Sequence, residues 1–175
     1  MEFKQIISRR RSTRKFLSTP IEREKLQRII DAALVAPTSR NTRSTRFYVV
    51  EDSTLLEKMS HMRDYGSAFM KDATAAIVIA SDKQATDLWV DNCAIAATTI
   101  QLAIVDEGLA SCWVHVNARP CLKDEPEGAM ADDYLRSLLG IPAHYGILCA
   151  VALGYSDYEP KPLPPYDGEE RVHWL

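Results

Sequence analysis

Between Thr86 and Glu107 small and aliphatic residues recur with the period of a helix. Cys93, Ala96, Ala97, Ile100, Ala103 and Ile104 fall on one side, and Gly108 follows as the stop. No other helical pattern in the chain is as long. A face of alanine and cysteine lets another helix approach closely, so the fold must lay a second helix against this one.

The flanking segments supply candidates. Phe3, Ile6 and Ile7 have helical spacing, predicting a short amphipathic helix from Glu2 to about Arg10. Thr19-Pro20-Ile21-Glu22 has the pattern of a capping box with proline in the first turn. Behind it Leu26, Ile29, Ile30, Ala33 and Leu34 mark one buried helix face, ended by Pro37. A further helix is predicted after Asp52 or Ser53, through Leu55, Leu56 and Met59, and another through Tyr134, Leu135, Leu138 and Leu139. Strand signals lie at Arg46–Glu51 (RFYVVE), Ala75–Ala80 (AAIVIA), Ser111–Val116 (SCWVHV) and Gly146–Gly154 (GILCAVALG). Thr38–Thr45 is polar and without period, hence a loop. After Gly154 the chain turns proline-rich and ends in RVHWL, a tail of residues 155–175 that needs another surface to lie on. No repeat or linker divides the 175 residues, so one domain is expected, of α/β or α+β class around one sheet.

Charge narrows the function. Lys+Arg 21 against Asp+Glu 24 leaves a net charge of -3, without the general basic field of a nucleic-acid binder. No run of apolar residues reaches the length of a membrane span, the N-terminus does not read as a signal peptide, and the four cysteines lack metal or redox spacing. These features predict a cytoplasmic protein that binds neither membrane nor nucleic acid. Yet Ser8–Phe16 (SRRRSTRKF) gathers five cations. Cations in the last turn of a helix suit the negative end of its dipole. Arg10, Arg11, Ser12 and Arg14 also offer forked donors and a hydroxyl that suit a phosphate monoester.

No Walker loop, dinucleotide glycine motif, nucleophile elbow or metal-ligand spacing is present, so no protein acid, base or nucleophile stands out and a cofactor is expected to carry any chemistry. Pro37-Thr38-Ser39-Arg40-Asn41 is a polar loop able to read the edge of a heterocycle, and Ser111–His115 is a strand whose backbone and indole can approach a planar ring. Phosphate at one end and a polar-edged flat ring at the other describe flavin mononucleotide (FMN).

At these residues the chain resembles the nitroreductase family of FMN-dependent oxidoreductases. Its R-R-S-x-R-x-F pattern is matched by Arg10–Phe16, and its E-x-L-x-x-I-x-x-A-A helix by Glu24–Ala33. The A-P-S-x-x-N pattern is matched by Ala36–Asn41, with Thr38 in place of the first serine. G-L-G-S-C-W reads Gly108–Trp113, with Ala110 in the middle. Leu139–Pro142 and Ala152–Tyr155 follow the family's L-G-I-P and L-G-Y-P.

The resemblance implies an α+β fold, a central mixed β-sheet flanked by helices, in an intertwined homodimer. The long helix would lie in the dimer core and the tail would embrace the mate. It implies that Arg10 and Ser12 bind the phosphate, with Arg11 also in the cofactor site, and that Arg14 lies near the N1/O2 edge of the ring, where a cation favours the reduced anionic flavin. Ser39 and Asn41 would come from the second chain, Pro37 and Thr38 would also belong to the cofactor site, backbone groups of Trp113, Val114 and His115 would lie along the ring, and Lys161 (rather than Arg171) would complete the phosphate contacts. The reaction implied is ping-pong: NADH or NADPH reduces FMN, and an electron-poor acceptor such as a nitroaromatic or quinone takes the electrons. Rival readings are a non-catalytic FMN store, a same-fold enzyme with another flavin reaction, and a nucleic-acid-binding domain built on Arg9–Lys15. Arg43-Ser44-Thr45 stands where the family has Q-P-W, which makes the substrate side polar and cationic.

Overall fold

The computed structural model describes residues 1–161 and 171–175. Among them run α1 (Phe3–Arg9), α2 (Arg23–Leu34), a 3-10 turn (Ser39–Asn41), β1 (Thr45–Val50), α3 (Ser53–Ser60), a second 3-10 turn (Ala68–Asp72), β2 (Ala75–Asp82), α4 (Trp89–Asp106), β3 (Ala110–His115), α5 (Ala131–Leu139) and β4 (Tyr145–Gly154).

The strands form one sheet in the order β1-β2-β4-β3. All three strand pairs are antiparallel, with Tyr48 opposite Val78, Ile77 opposite Val151 and Trp113 opposite Val151. Among the described residues the sheet is thus antiparallel, where a mixed sheet was expected. The connections through α3 and α5 bring the chain back at the end where the preceding strand finished, so the linked neighbours run in opposite directions. The parallel pairing among the described residues is a single bridge, Ser12 to Ser111.

Strands β2 and β4 are apolar on both faces because both faces are covered. Alternate residues Ala76, Val78, Ala150 and Ala152 meet Leu56 and Met59 of α3 and Leu135 of α5. Their neighbours Ile77, Ile79, Cys149 and Val151 meet Leu26 and Ile29 of α2 and Cys93, Ala97 and Ile100 of α4. The result is a three-layer α+β domain.

Three local expectations change. The capping box does not form: α2 begins at Arg23, where the Glu22 carbonyl accepts from Lys25 and Leu26, and no side chain caps it. The Glu22 carboxylate instead takes the Tyr155 hydroxyl at 2.6 Å. Leu34 is 61% exposed, so the buried face of α2 rests on Leu26, Ile29 and Ala33. The small-residue face of α4 does find a helix, but it is α2 of the same chain. Cys93, Ala97, Ile100 and Ile104 are buried against α2 and the sheet and are not available to a second copy. Asp52, by contrast, caps α3 as expected, its carboxylate accepting the Leu55 N–H at 2.8 Å.

Candidate functional site

Beyond α1 the chain straightens and runs beside β3. Thr13 donates its N–H to the Ser111 carbonyl at 2.9 Å, next to the Ser12–Ser111 bridge. An extended backbone sends alternate side chains to opposite sides. Arg11 and Thr13 line a cleft of about 210 Å³ with Arg9, Ser111, Tyr158 and Pro160. Arg10, Ser12 and Arg14 gather instead around Cys112. Burial pushes that thiol up, and Arg14, a hydrogen bond from Ser12, and Arg10 each pull it back.

Neither Arg10 nor Arg14 has a carboxylate partner among the described residues. The Arg14 guanidinium lies 5.8 Å from the centre of the Phe69 ring. Arg11 differs: its Nη1 donates to the Lys161 carbonyl at 2.6 Å. The structure thus separates Arg11 and Lys161 from the side on which Arg10, Ser12 and Arg14 meet.

Along β3, Val114 is buried in the core beneath the sheet, while Trp113 and His115 stand half-buried on the other face with rings stacked at 9° and 6.3 Å between centroids. The His115 carbonyl accepts Arg63 Nη1 at 2.7 Å, and the Arg63 guanidinium sits 3.9 Å from the centre of the Tyr65 ring. Burial, Arg119 and Arg63 hold the His115 imidazole below its ordinary pKa, so the ring is neutral at pH 7. Sequence reasoning missed Arg63 and Arg119. No motif marks them: Arg63 comes from the segment after α3 and Arg119 from the turn after β3, and only the fold brings both to this strand end.

The Thr38–Ser44 loop has an unusual backbone. Arg40, Asn41 and Arg43 take φ values of 51°, 53° and 47° without being glycine, a cost of roughly 1–2 kcal/mol each and least for the asparagine. Bonds hold the shape. Ser39 N–H donates to Asn92 Oδ1 at 2.8 Å, Arg43 N–H to Thr38 Oγ1 at 3.1 Å, and Arg43 Nε to Asn41 Oδ1 at 3.2 Å. Arg46 Nη1 donates to the Arg43 carbonyl at 2.9 Å, and the buried Ser44 and Ser81 hydroxyls meet at 2.8 Å. Pro37 and Asn41 are exposed; Thr38 and Ser39 are half-buried. This loop leads into β1, the edge strand opposite β3. Three strand spacings, about 14 Å at about 4.8 Å each, separate the two edges. Within one chain, then, Arg10, Ser12 and Arg14 meet around Cys112 of β3, and Pro37–Asn41 lead into the opposite edge of the sheet.

This arrangement has relatives. The sequence model of the nitroreductase family matches residues 7–64 and 54–155. The chain belongs to the nitroreductase family. An FMN-dependent nitroreductase from Clostridium difficile R20291 has the same fold, with a TM-score of 0.90 and 38% identity over 97% of this chain and 96% of that one. A Methanothermobacter thermautotrophicus protein provisionally named NADH dehydrogenase/NAD(P)H nitroreductase is 32% identical over 99% of this chain and 86% of its own length. A protein of the same provisional name from Archaeoglobus fulgidus is 36% identical over 86% of this chain and 83% of its own length. As a nitroreductase the chain is an oxidoreductase of the flavin-dependent class, and no described helix of this nitroreductase is long and apolar enough to cross a membrane.

Proposed function

We propose that this nitroreductase binds FMN and uses NADH or NADPH to reduce an electron-poor small molecule, such as a nitroaromatic or quinone. The observation that carries the proposal is the convergence of Arg10, Ser12 and Arg14 beside β3, with both guanidinia free of carboxylates among the described residues. Uncommitted forked cations next to a hydroxyl suit a phosphate monoester. When bound, FMN supplies the redox chemistry, taking two electrons from the nicotinamide and handing them on.

The chain's own residues bind and orient. Arg10 and Ser12 hold the phosphate, and Arg14, packed over Phe69, sets positive charge beside the ring. The edge of β3 from Trp113 to His115 offers backbone groups alongside, with a neutral imidazole. Arg11 and Lys161 are bound to each other; in this reading Arg11 steadies the segment, and Lys161 reaches the phosphate only through its side chain.

The assembly is a homodimer with two shared sites. The separation of the Thr38–Asn41 loop from the Arg10–Arg14 segment across the sheet supports it, since a second copy can bring its own loop to the first chain's β3. The single domain and the embrace of the mate by residues 155–175 belong to the same proposal, although residues 162–170 of that tail lie outside the described residues. The deciding experiment is the visible spectrum of the purified protein, identification of the flavin released on denaturation, and anaerobic additions of NADH and of NADPH. Released FMN and bleaching by a nicotinamide support the enzyme. FMN that bleaches no faster than free flavin favours a storage role, and failure to bind FMN at all overturns the reading.

A further inference from the structure

Asn92 lies in the first turn of α4 and is 1% exposed. Its Oδ1 accepts the Ser39 N–H at 2.8 Å, which fixes the orientation of the amide. Its Nδ2 is buried and has no hydrogen-bond partner among the described residues. An interior position with an unmet donor is poorer in stability than an apolar residue of similar size. The amide is therefore explained by its bond to the loop rather than by packing.

That bond has a specific place. Ser39 opens the 3-10 turn, where backbone donors have no partner within the turn. The residues that follow, Arg40, Asn41 and Arg43, hold left-handed backbones. Thr38–Arg43 and Arg43–Asn41 join the loop to itself, Arg46 and Ser81 join it to the sheet, and the Ser39–Asn92 bond joins it to α4.

Resting on the flavin reading above, we propose that Asn92 is a positioning residue: it anchors Ser39 to α4 and so holds the Thr38–Ser44 loop in the shape that reads the flavin ring of the mate's site. It acts on the ring end of the flavin and not on the phosphate. Loss of the anchor frees the left-handed residues to relax, and the loop must be reordered each time a flavin binds.

The test compares FMN with riboflavin, which lacks the phosphate. Asn92→Ala weakens both by the same factor, about tenfold for one lost hydrogen bond, whereas Arg10→Ala weakens FMN alone. Ser39→Pro removes the same bond from its other end without touching α4. The preceding Thr38 is extended at φ -129° and ψ 149°, which suits a following proline. Measured against Ser39→Ala, the proline variant shows the same loss, and it decides the matter alone if Asn92→Ala does not fold. In the flavin-free dimer, amide exchange at Ser39 quickens in Asn92→Ala. Folded variants that keep wild-type riboflavin affinity, or unchanged Ser39 exchange, overturn the anchor. A wild-type protein that protects the Ser39 amide but takes up no flavin sinks the flavin reading instead.

Discussion

The Thr13 N–H bonds to the Ser111 carbonyl at 2.9 Å, and this one contact lays the basic segment along β3. Thr13 is buried and its neighbours alternate, so Arg10, Ser12 and Arg14 turn to one side and Arg11 to the other. What reads in sequence as a uniform run of cations is divided by the geometry of an extended chain.

The first consequence concerns Arg10→Ala. Loss of a charge-assisted bond to phosphate costs about 1.5–3 kcal/mol, roughly ten- to a hundredfold in FMN affinity. Riboflavin affinity stays nearly constant. Titrations with the two ligands check this, and an equal loss for both moves Arg10 away from the phosphate.

The shared site is open to complementation. One variant altered at Arg10 and Ser12 and another altered at Ser39 and Asn41 each fail to hold FMN. With random pairing about half the dimers are mixed, and each mixed dimer has one site without a defect. Roughly a quarter of all sites then regain flavin and activity. No recovery in verified mixed dimers means that the site lies within one chain.

A pH dependence follows from the link between α2 and the end of α4. Arg28 Nε and Nη2 each reach a Glu107 carboxylate oxygen at 2.7 Å. Its bond to Arg28 holds Glu107 below the ordinary carboxylate value of 4.5. A carboxylate depressed in the folded state stabilises above its unfolded pKa and loses that contribution as pH falls through the folded value. In Arg28→Ala the stability deficit is therefore full at pH 7 and narrows below pH about 4.5. Urea unfolding of both proteins across pH 3–7 measures the gap, and a constant gap removes Glu107 as its source.

Gly146 tests the packing of α4 on the sheet. A Cβ added there would stand 2.7 Å from two ring carbons of Trp89. Gly146→Ala should cost about 1–3 kcal/mol through overpacking, read as a lower Tm. Trimming the ring with Trp89→Leu in the Gly146→Ala background should return part of that loss, and a deficit that the smaller residue does not touch has another origin.

Much of this nitroreductase was legible before its fold was seen. Periodicity and apolar runs located β1 to β4, α4 and α5 because each signal is local: a buried strand must be apolar and a helix with one covered face must repeat. The run Arg10–Arg14, the Thr38–Asn41 loop and Trp113–His115 were likewise marked by residue type and order. Other features were set by partners distant in sequence. Glu22 binds Tyr155 instead of joining a capping box, and the alanine face of α4 meets α2 of its own chain. Arg63 and Arg119 come to His115 without any motif. Asn92 is one of several polar residues of α4 until Ser39 is placed against it. A sequence records which side chains are available and how they alternate along a strand or helix. Which of two equally plausible cations faces the ligand, and which buried amide meets a loop, depends on distances between segments that only the folded chain sets.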